Sequence, residues 1–433
     1  MLTAIHIKGF KSYQDQWLQL SPLTLMIGAN ASGKSNALEA FRFLCWLGQG
    51  QKLSVLRHRV DDSEQILRGQ VRDLPYLQGQ SFTLGCETDD AQWNSFSVEI
   101  ALRDDELHIV QESIGSPSPR QKFPLYRIEQ PSSGLSTDVR VAYNNFSAGG
   151  KKPQITCTDQ IAILNQLASS AMFDSGHNKA QKVIPETTDH FQRLLANTLF
   201  LDPVPALMRA DSYPDKKLRG DCSNLSGVLY TLWQDEQIRP AIIEFIKSLP
   251  EQDVKDIRFF ADRRGRVSLE LVESFGAVER NWSVELLSDG TLRVLAIAAA
   301  LLSAPAESTL VIEEVDNGVH PSRARQLLTT MREQASRRDV RLLLTTHNPA
   351  LMDALPDSAL GDVVFCYRDP QEGDSRLARL ADLQDYAGLV SQGPLGELVT
   401  RGVVDRFVKS PVTAEQKRQN ALAWLQKMQG EAE

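Results

Sequence analysis

The chain has little cysteine, and none of it is paired. Its 433 residues include five, Cys45, Cys86, Cys157, Cys222 and Cys366. None falls in C-x-x-C spacing, which argues against a disulfide framework or a zinc site and predicts reduced thiols. Long apolar runs are missing as well. None approaches the roughly 20 residues that cross a bilayer, and the opening Met1-Leu2-Thr3-Ala4-Ile5-His6-Ile7-Lys8 alternates like a strand, unlike a secretory leader. A cytoplasmic protein without membrane contact is expected. Positive charge is also short: the net charge of −8 works against non-specific nucleic-acid binding by the whole surface. The local basic clusters, Lys216-Lys217-Leu218-Arg219, Arg258 with Arg263, Arg264 and Arg266, and Arg337 with Arg338 and Arg341, each read as solvated faces. Internal repeats, low-complexity tracts and sustained heptads are absent, so neither a solenoid nor long coiled-coil arms are expected.

What the chain does have is Gly28-Ala29-Asn30-Ala31-Ser32-Gly33-Lys34-Ser35, a complete G-x-x-x-x-G-K-S phosphate loop. The apolar run Leu23-Thr24-Leu25-Met26-Ile27 precedes it and the helical pattern from Asn36 follows. Strand, glycine turn and helix in that order aim backbone N–H groups and the positive end of a helix dipole at one point, which suits a polyphosphate. Lys34 adds a charge for the β- and γ-phosphates, and the Ser35 hydroxyl can ligate Mg²⁺.

The length predicts two or three lobes. Residues 1–47 read as two strands, the loop and a helix. Segments Ser81–Glu87, Ser95–Leu102, Glu106–Glu112 and Leu125–Glu129 are β-rich and separated by turns, which predicts an antiparallel lobe. Asn144-Asn145-Phe146-Ser147-Ala148-Gly149-Gly150 reads as a loop at a lobe boundary. Beyond it the pattern turns helical, with Ile161, Leu164, Leu167 and Met172 on one face and Ile238, Ile242, Phe245 and Ile246 on another. Leu199-Phe200-Leu201 suggests a short strand. Residues 257–287 return to strands around Asp262-Arg263-Arg264-Gly265. A helix from Leu292 to Leu302 and buried strands at Thr309–Ile312, Arg341–Thr345 and Asp362–Tyr367 follow, and a closing helix over 413–429 is predicted from the capping-box pair Thr413 and Gln416.

The second half narrows the chemistry. Thr309-Leu310-Val311-Ile312 ends in Glu313 and Glu314; one carboxylate there suits the Mg²⁺ shell, and its neighbour can orient or deprotonate a water. Arg341-Leu342-Leu343-Leu344-Thr345 likewise presents Thr346 and His347, and ligands gather at the carboxyl ends of strands in open α/β sheets. His347 is therefore expected at the γ-phosphate or the attacking water. Leu287-Ser288-Asp289-Gly290-Thr291 opens a helix and forms a second anion-binding turn or a plain helix cap.

In this order, these motifs resemble the ABC-type ATPase superfamily, in its SMC- and RecF-like branch. Glu313-Glu314-Val315-Asp316-Asn317-Gly318-Val319-His320-Pro321, Thr345-Thr346-His347-Asn348-Pro349 and Ile7-Lys8-Gly9-Phe10-Lys11-Ser12 look like the "overcoming lysogenization defect" and RloA-like ATPases of bacterial anti-phage loci. The likeness covers 1–47 and about 280–400 well, and the middle only loosely. It implies an α/β ABC-type P-loop ATPase head with a mixed or parallel core sheet, an antiparallel β lobe and a helical insertion. The expected divisions are 1–150 for the first half of the head with the β lobe, 151–256 for the helical insertion, 257–410 for the second half and 411–433 for a C-terminal helix.

The resemblance also implies ATP and Mg²⁺ as ligands. It places Asn30, Ser32, Gly33, Lys34, Ser35 and Asn36 on the nucleotide, Ser35 and Glu313 at the metal, and Glu314 and His347 in catalysis. Ser288 and Gly290 would act across a head-to-tail dimer, or a higher homo-oligomer, closed by ATP. Val315 replaces a common proline, His320 stands where many relatives carry an aspartate, and Gln70 and Gln111 are candidates for the Q-loop glutamine. A transporter motor fits poorly, because the middle section is long and Leu287-Ser288-Asp289-Gly290-Thr291, which matches the family's signature turn, is of the soluble-branch kind. Asp382, Asp385 and Glu397 lack the D-x-D spacing of a Toprim nuclease, so a separate effector such as a nuclease is expected. The function implied is a nucleotide-driven switch in anti-phage defence. The alternative is a RecF-like repair ATPase that binds DNA.

Overall fold

The computed structural model describes residues 1–57, 66–134, 136–247, 254–275, 278–317 and 321–409. The expected helix over 413–429 and His320 lie outside the described residues.

Two sheets share the first half of the chain. The larger has eight antiparallel strands in the order Tyr13–Gln19, Leu2–Phe10, Ser81–Thr88, Ser95–Arg103, Glu106–Gly115, Tyr126–Gln130, Asp138–Tyr143 and Gln154–Thr158. Its last strand follows the Gly149-Gly150 loop, so the sheet continues past residue 150. The second sheet runs Leu199–Leu201, Thr309–Ile312, Arg341–Thr345, Leu23–Ile27, Val364–Arg368 and Ser375–Arg379. Its first five strands are parallel and only the last is antiparallel. A third sheet, Val254–Ala261, Val267–Phe275 and Val278–Ser283, leads directly into the Ser288 turn.

The parallel strands are apolar on both sides because both faces are covered. Leu25, Leu310, Leu342 and Phe365 face one core, together with the helix Asp289–Ser303. Met26, Val311, Leu343 and Val364 face the other, with the helix Lys34–Gly48 and the eight-stranded sheet. The period-2 alternation thus divides the helices between two layers. All five cysteines are free and buried.

Three strands precede the phosphate loop where two were expected. The single helical face expected over Ile161–Met172 is broken into Ile163–Gln166 and a 3-10 turn at Ser170–Met172. Ser169 caps that turn by accepting from the Ala171 N–H. Among the described residues, no helix is long and apolar enough to cross a membrane.

Candidate functional site

The phosphate loop joins the fully buried strand Leu23–Ile27 to the helix Lys34–Gly48. Its glycines are dictated by crowding. Gly28 has φ +148°, and a Cβ there would sit 2.1 Å from the carbonyl oxygen of Cys366; at Gly33, φ +120°, it would sit 2.3 Å from Ser375 Oγ. Both conformations and both close approaches require glycine. The first turn of the helix has neither an acidic residue nor a side-chain cap, so its leading N–H groups are free to meet an anion.

Lys34 is buried, and its ammonium donates to the carbonyls of Gly28 at 2.6 Å and Ala29 at 3.0 Å. Burial lowers its pKa, while Cys366 and Glu314 oppose that shift. Asn30 and Ser35 are exposed, and Ser32 and Gly33 are buried. Asn36 is engaged by its neighbours: its Nδ2 donates to Ser12 Oγ at 2.8 Å and its Oδ1 accepts from Arg68 at 3.2 Å.

Parallel pairing carries the acidic pair and the histidine to the same edge of the sheet. Thr345 pairs with Met26, and Ile312 with Leu344, so Gly28, Glu313 and Thr346 follow adjacent strand ends. Glu314 adopts φ +48°. Its N–H donates to Thr345 Oγ1 at 2.9 Å, and its Oε2 accepts from Asn317 at 2.6 Å. Glu313 Oε1 lies 3.3 Å from Arg42, whose guanidinium sits 5.0 Å over the Phe200 ring. Burial raises the pKa of Glu313; Arg42 opposes this, and Asp202 and Glu314 add to it. His347 is exposed at the mouth. Partial burial lowers its pKa, as does Lys34, against Glu314 and Asp316, which favours a neutral imidazole. Behind it, the buried Thr346 hydroxyl donates to Asp316 and accepts from the Asn348 N–H at 3.0 Å.

Ser288 and Gly290 lie on the other layer. Ser288 caps the helix Asp289–Ser303, accepting from the Thr291 N–H at 3.1 Å. Among the described residues, no hydrogen bond joins Ser288 or Gly290 to the 28–36 loop. Of the two glutamine candidates, Gln70 follows Arg68, which bonds Asn36 and Glu39, so it stands beside the loop helix. Gln111 lies out in the eight-stranded sheet opposite Glu99.

Several residues at the site escaped the motifs. Tyr13 OH donates to the carbonyl of Gly33 at 3.1 Å, Ser375 Oγ to that of Ser32 at 2.6 Å, and Arg368 to that of Ala31 at 3.2 Å. Together they clamp the loop backbone. Glu39, buried in the loop helix, accepts from Lys11 and from Arg68, Nη2 at 3.1 Å. The Lys11-Ser12 pair belongs to a quoted motif, whereas Ser375, Arg368 and Arg42 carry no sequence signal.

These residues suit a Mg²⁺-triphosphate. The cradle closes to a Cβ, the helix end is uncapped, and an ammonium, a hydroxyl and two carboxylates share one sheet edge. No cluster of three metal-ligating side chains occurs among the described residues, and phosphate-borne Mg²⁺ does not need one.

Two parts of the chain match known family models. Residues 1–87 match "AAA ATPase domain", and residues 181–353 match "AAA domain, putative AbiEii toxin, Type IV TA system". Both matches are to ATPase domains. The first contains the phosphate loop, and the second contains the Ser288 turn, the acidic pair and His347. The chain is also 38% identical over 71 residues to the DNA replication and repair protein RecF of Lactococcus lactis subsp. cremoris (strain SK11). That stretch is 13% of this chain and spans only 20% of the relative's length. Similar solved structures include an SMC head bound to the C-winged helix domain of ScpA, at 14% identity and TM-score 0.47 over 87% of this chain and 96% of that one. Another is the SMC head domain from Thermotoga maritima, at 13% identity and TM-score 0.36 over 87% and 98%.

Proposed function

We propose that the chain binds ATP with Mg²⁺, hydrolyses it, and works as a nucleotide-driven dimerisation switch that controls a separate effector, a nuclease, in anti-phage defence. The observation that carries the ATPase reading is the meeting of Lys34, Ser35, Glu313, Glu314 and His347 at one carboxyl edge of a parallel sheet. The AbiEii-like match over 181–353 supports the defence role.

In this reading the loop N–H groups and Lys34 hold the triphosphate, and Ser35 and Glu313 hold the metal. When bound, Mg²⁺ supplies charge neutralisation for the phosphate oxygens. Glu314, oriented by Asn317, takes a proton from a water whose oxygen attacks the γ-phosphorus. The bond from that phosphorus to the β–γ bridging oxygen breaks, leaving ADP and phosphate. A neutral His347 donates a hydrogen bond to the γ-phosphate or positions the water. Among the described residues Ser288 and Gly290 make no hydrogen bond to their own chain's loop; in this reading they complete a second chain's site, and ATP closes the pair.

The test is steady-state hydrolysis by the purified protein with and without Mg²⁺. Metal-dependent phosphate release supports the reading, and its absence removes it. The second reading, a DNA-maintenance ATPase, is favoured by the RecF match. DNA-end binding that stimulates turnover would select it.

A further inference from the structure

The turn that opens the signature helix contains an electrostatic conflict. Asp289 occupies the first turn of a 15-residue helix. There its carboxylate suits the dipole of its own helix, but it stands where an incoming phosphate would meet like charge. Arg209 answers this from outside the helix. It follows the short helix Pro205–Met208, far back in the chain, and its Nη2 donates to the Leu287 carbonyl at 2.9 Å and to Asp289 Oδ1 at 2.7 Å. The two bonds straddle Ser288, whose hydroxyl accepts from the Thr291 N–H within the same turn.

We propose that Arg209 is a positioning residue for the signature turn. It neutralises Asp289 and fixes the Leu287 carbonyl, so that the amino end of the helix accepts the triphosphate held by a second copy of the chain. The proposal rests on the dimer reading above. The pair is partly open to solvent, with Asp289 65% and Arg209 29% exposed, and such pairs contribute little to folding. That separates this role from a stabilising one. The surroundings suit a contact face: Leu286, next to the turn, is 69% exposed, and Leu207, two residues before Arg209, is 45% exposed.

The experiment uses the full chain carrying Glu314→Gln, with pairing followed by sedimentation velocity as ATP and Mg²⁺ are added. Adding Arg209→Ala raises the protein concentration for half-pairing roughly tenfold or more, the scale of one poorly screened charge. Single-chain affinity for a fluorescent ATP analogue and the melting temperature stay unchanged. Adding Asp289→Asn to Arg209→Ala restores most of the pairing, which a merely structural arginine would not allow. Should Arg209→Ala lower the melting temperature, Arg209→Gln replaces it in the same comparison. Unchanged pairing in the arginine variant, or a defect that Asp289→Asn does not relieve, overturns the proposal. Loss of pairing with Ser288→Arg but not with Arg209→Ala sinks the arginine's role alone. A parent that never pairs with ATP removes the dimer reading and this role with it.

Discussion

Thr345 Oγ1 accepts a hydrogen bond from the backbone N–H of Glu314 at 2.9 Å. The strand that presents His347 therefore also fixes the turn that presents the acidic pair. Glu314 holds a left-handed φ of +48° there, a conformation that a non-glycine residue keeps only where its surroundings enforce it. The Val315 N–H, bonded to the Thr345 carbonyl at 3.1 Å, adds to that enforcement. Two neighbouring strand ends thus form one rigid mouth beside the phosphate loop.

Lys34→Ala should abolish ATP binding, because the loop loses the ammonium now held against the Gly28 and Ala29 carbonyls. Calorimetric titration with ATP and Mg²⁺ checks this. Unchanged affinity would place the nucleotide elsewhere.

Glu314→Gln should leave ATP affinity intact and slow phosphate release by on the order of 10²–10⁴. Wild-type turnover in that variant would assign the base to another group.

His347 should titrate below the ordinary histidine value of 6.5, since burial and Lys34 both disfavour its charged form. The folded value is depressed, so the neutral imidazole persists as pH falls through 6.5. Below that, charging it costs folding free energy that is absent at neutral pH. Imidazole resonances followed by NMR test this, and Lys34→Ala should move the midpoint upward. A midpoint at or above 6.5 in the parent would contradict the geometry.

Glu313 has a raised pKa, chiefly through burial, so the carboxylate that a divalent cation needs forms at a higher pH than for an ordinary glutamate. Mg²⁺ affinity in the presence of ATP should rise with pH through that raised value, and Glu313→Gln should flatten the dependence. Equal slopes in parent and variant would take Glu313 out of the metal shell.

In the β lobe, Glu112 is buried and accepts from Tyr126 OH and from the N–H groups of Ile163 and Leu164, each at 2.7 Å. Burial pushes its carboxyl up to about 7, against those three bonds. With the folded value above the unfolded one, its contribution to stability is full below the ordinary 4.5 and is lost as pH rises through about 7. Glu112→Gln should remove that slope in thermal melts. At pH 8 it should cost about 1–3 kcal/mol, because Ile163 and Leu164 donate to different carboxylate oxygens and the amide NH₂ that replaces one of them cannot accept. An unchanged slope would show that another group titrates.

The parts of the site written locally were legible in the sequence. A glycine turn between a buried strand and a helix, and an apolar strand ending in Glu313-Glu314, each specify their chemistry within a few residues. The clamp on the loop was not legible. Ser375 and Arg368 reach the Ser32 and Ala31 carbonyls because Val364–Arg368 pairs beside Leu23–Ile27 and then with Ser375–Arg379, and no local pattern encodes that order. The Ile161–Met172 face misled for the opposite reason. Its apolar spacing is helical, but Glu112, distant in sequence, caps only the short helix Ile163–Gln166 through the Ile163 and Leu164 N–H groups, and Ser169 starts a separate turn. The helix Asn178–Ala196 contains Pro185 and forms nonetheless, burying Ile184, Phe191 and Leu195 on one stripe, so packing outweighs the broken bond.

The mass of the Glu314→Gln protein in solution, measured by light scattering with and without ATP and Mg²⁺, tests the nucleotide-driven pair most directly. One chain without nucleotide, two with it, and one again when Ser288→Arg is added is the predicted result. A single-chain mass under all three conditions, alongside full ATP turnover by the wild-type monomer, would contradict it.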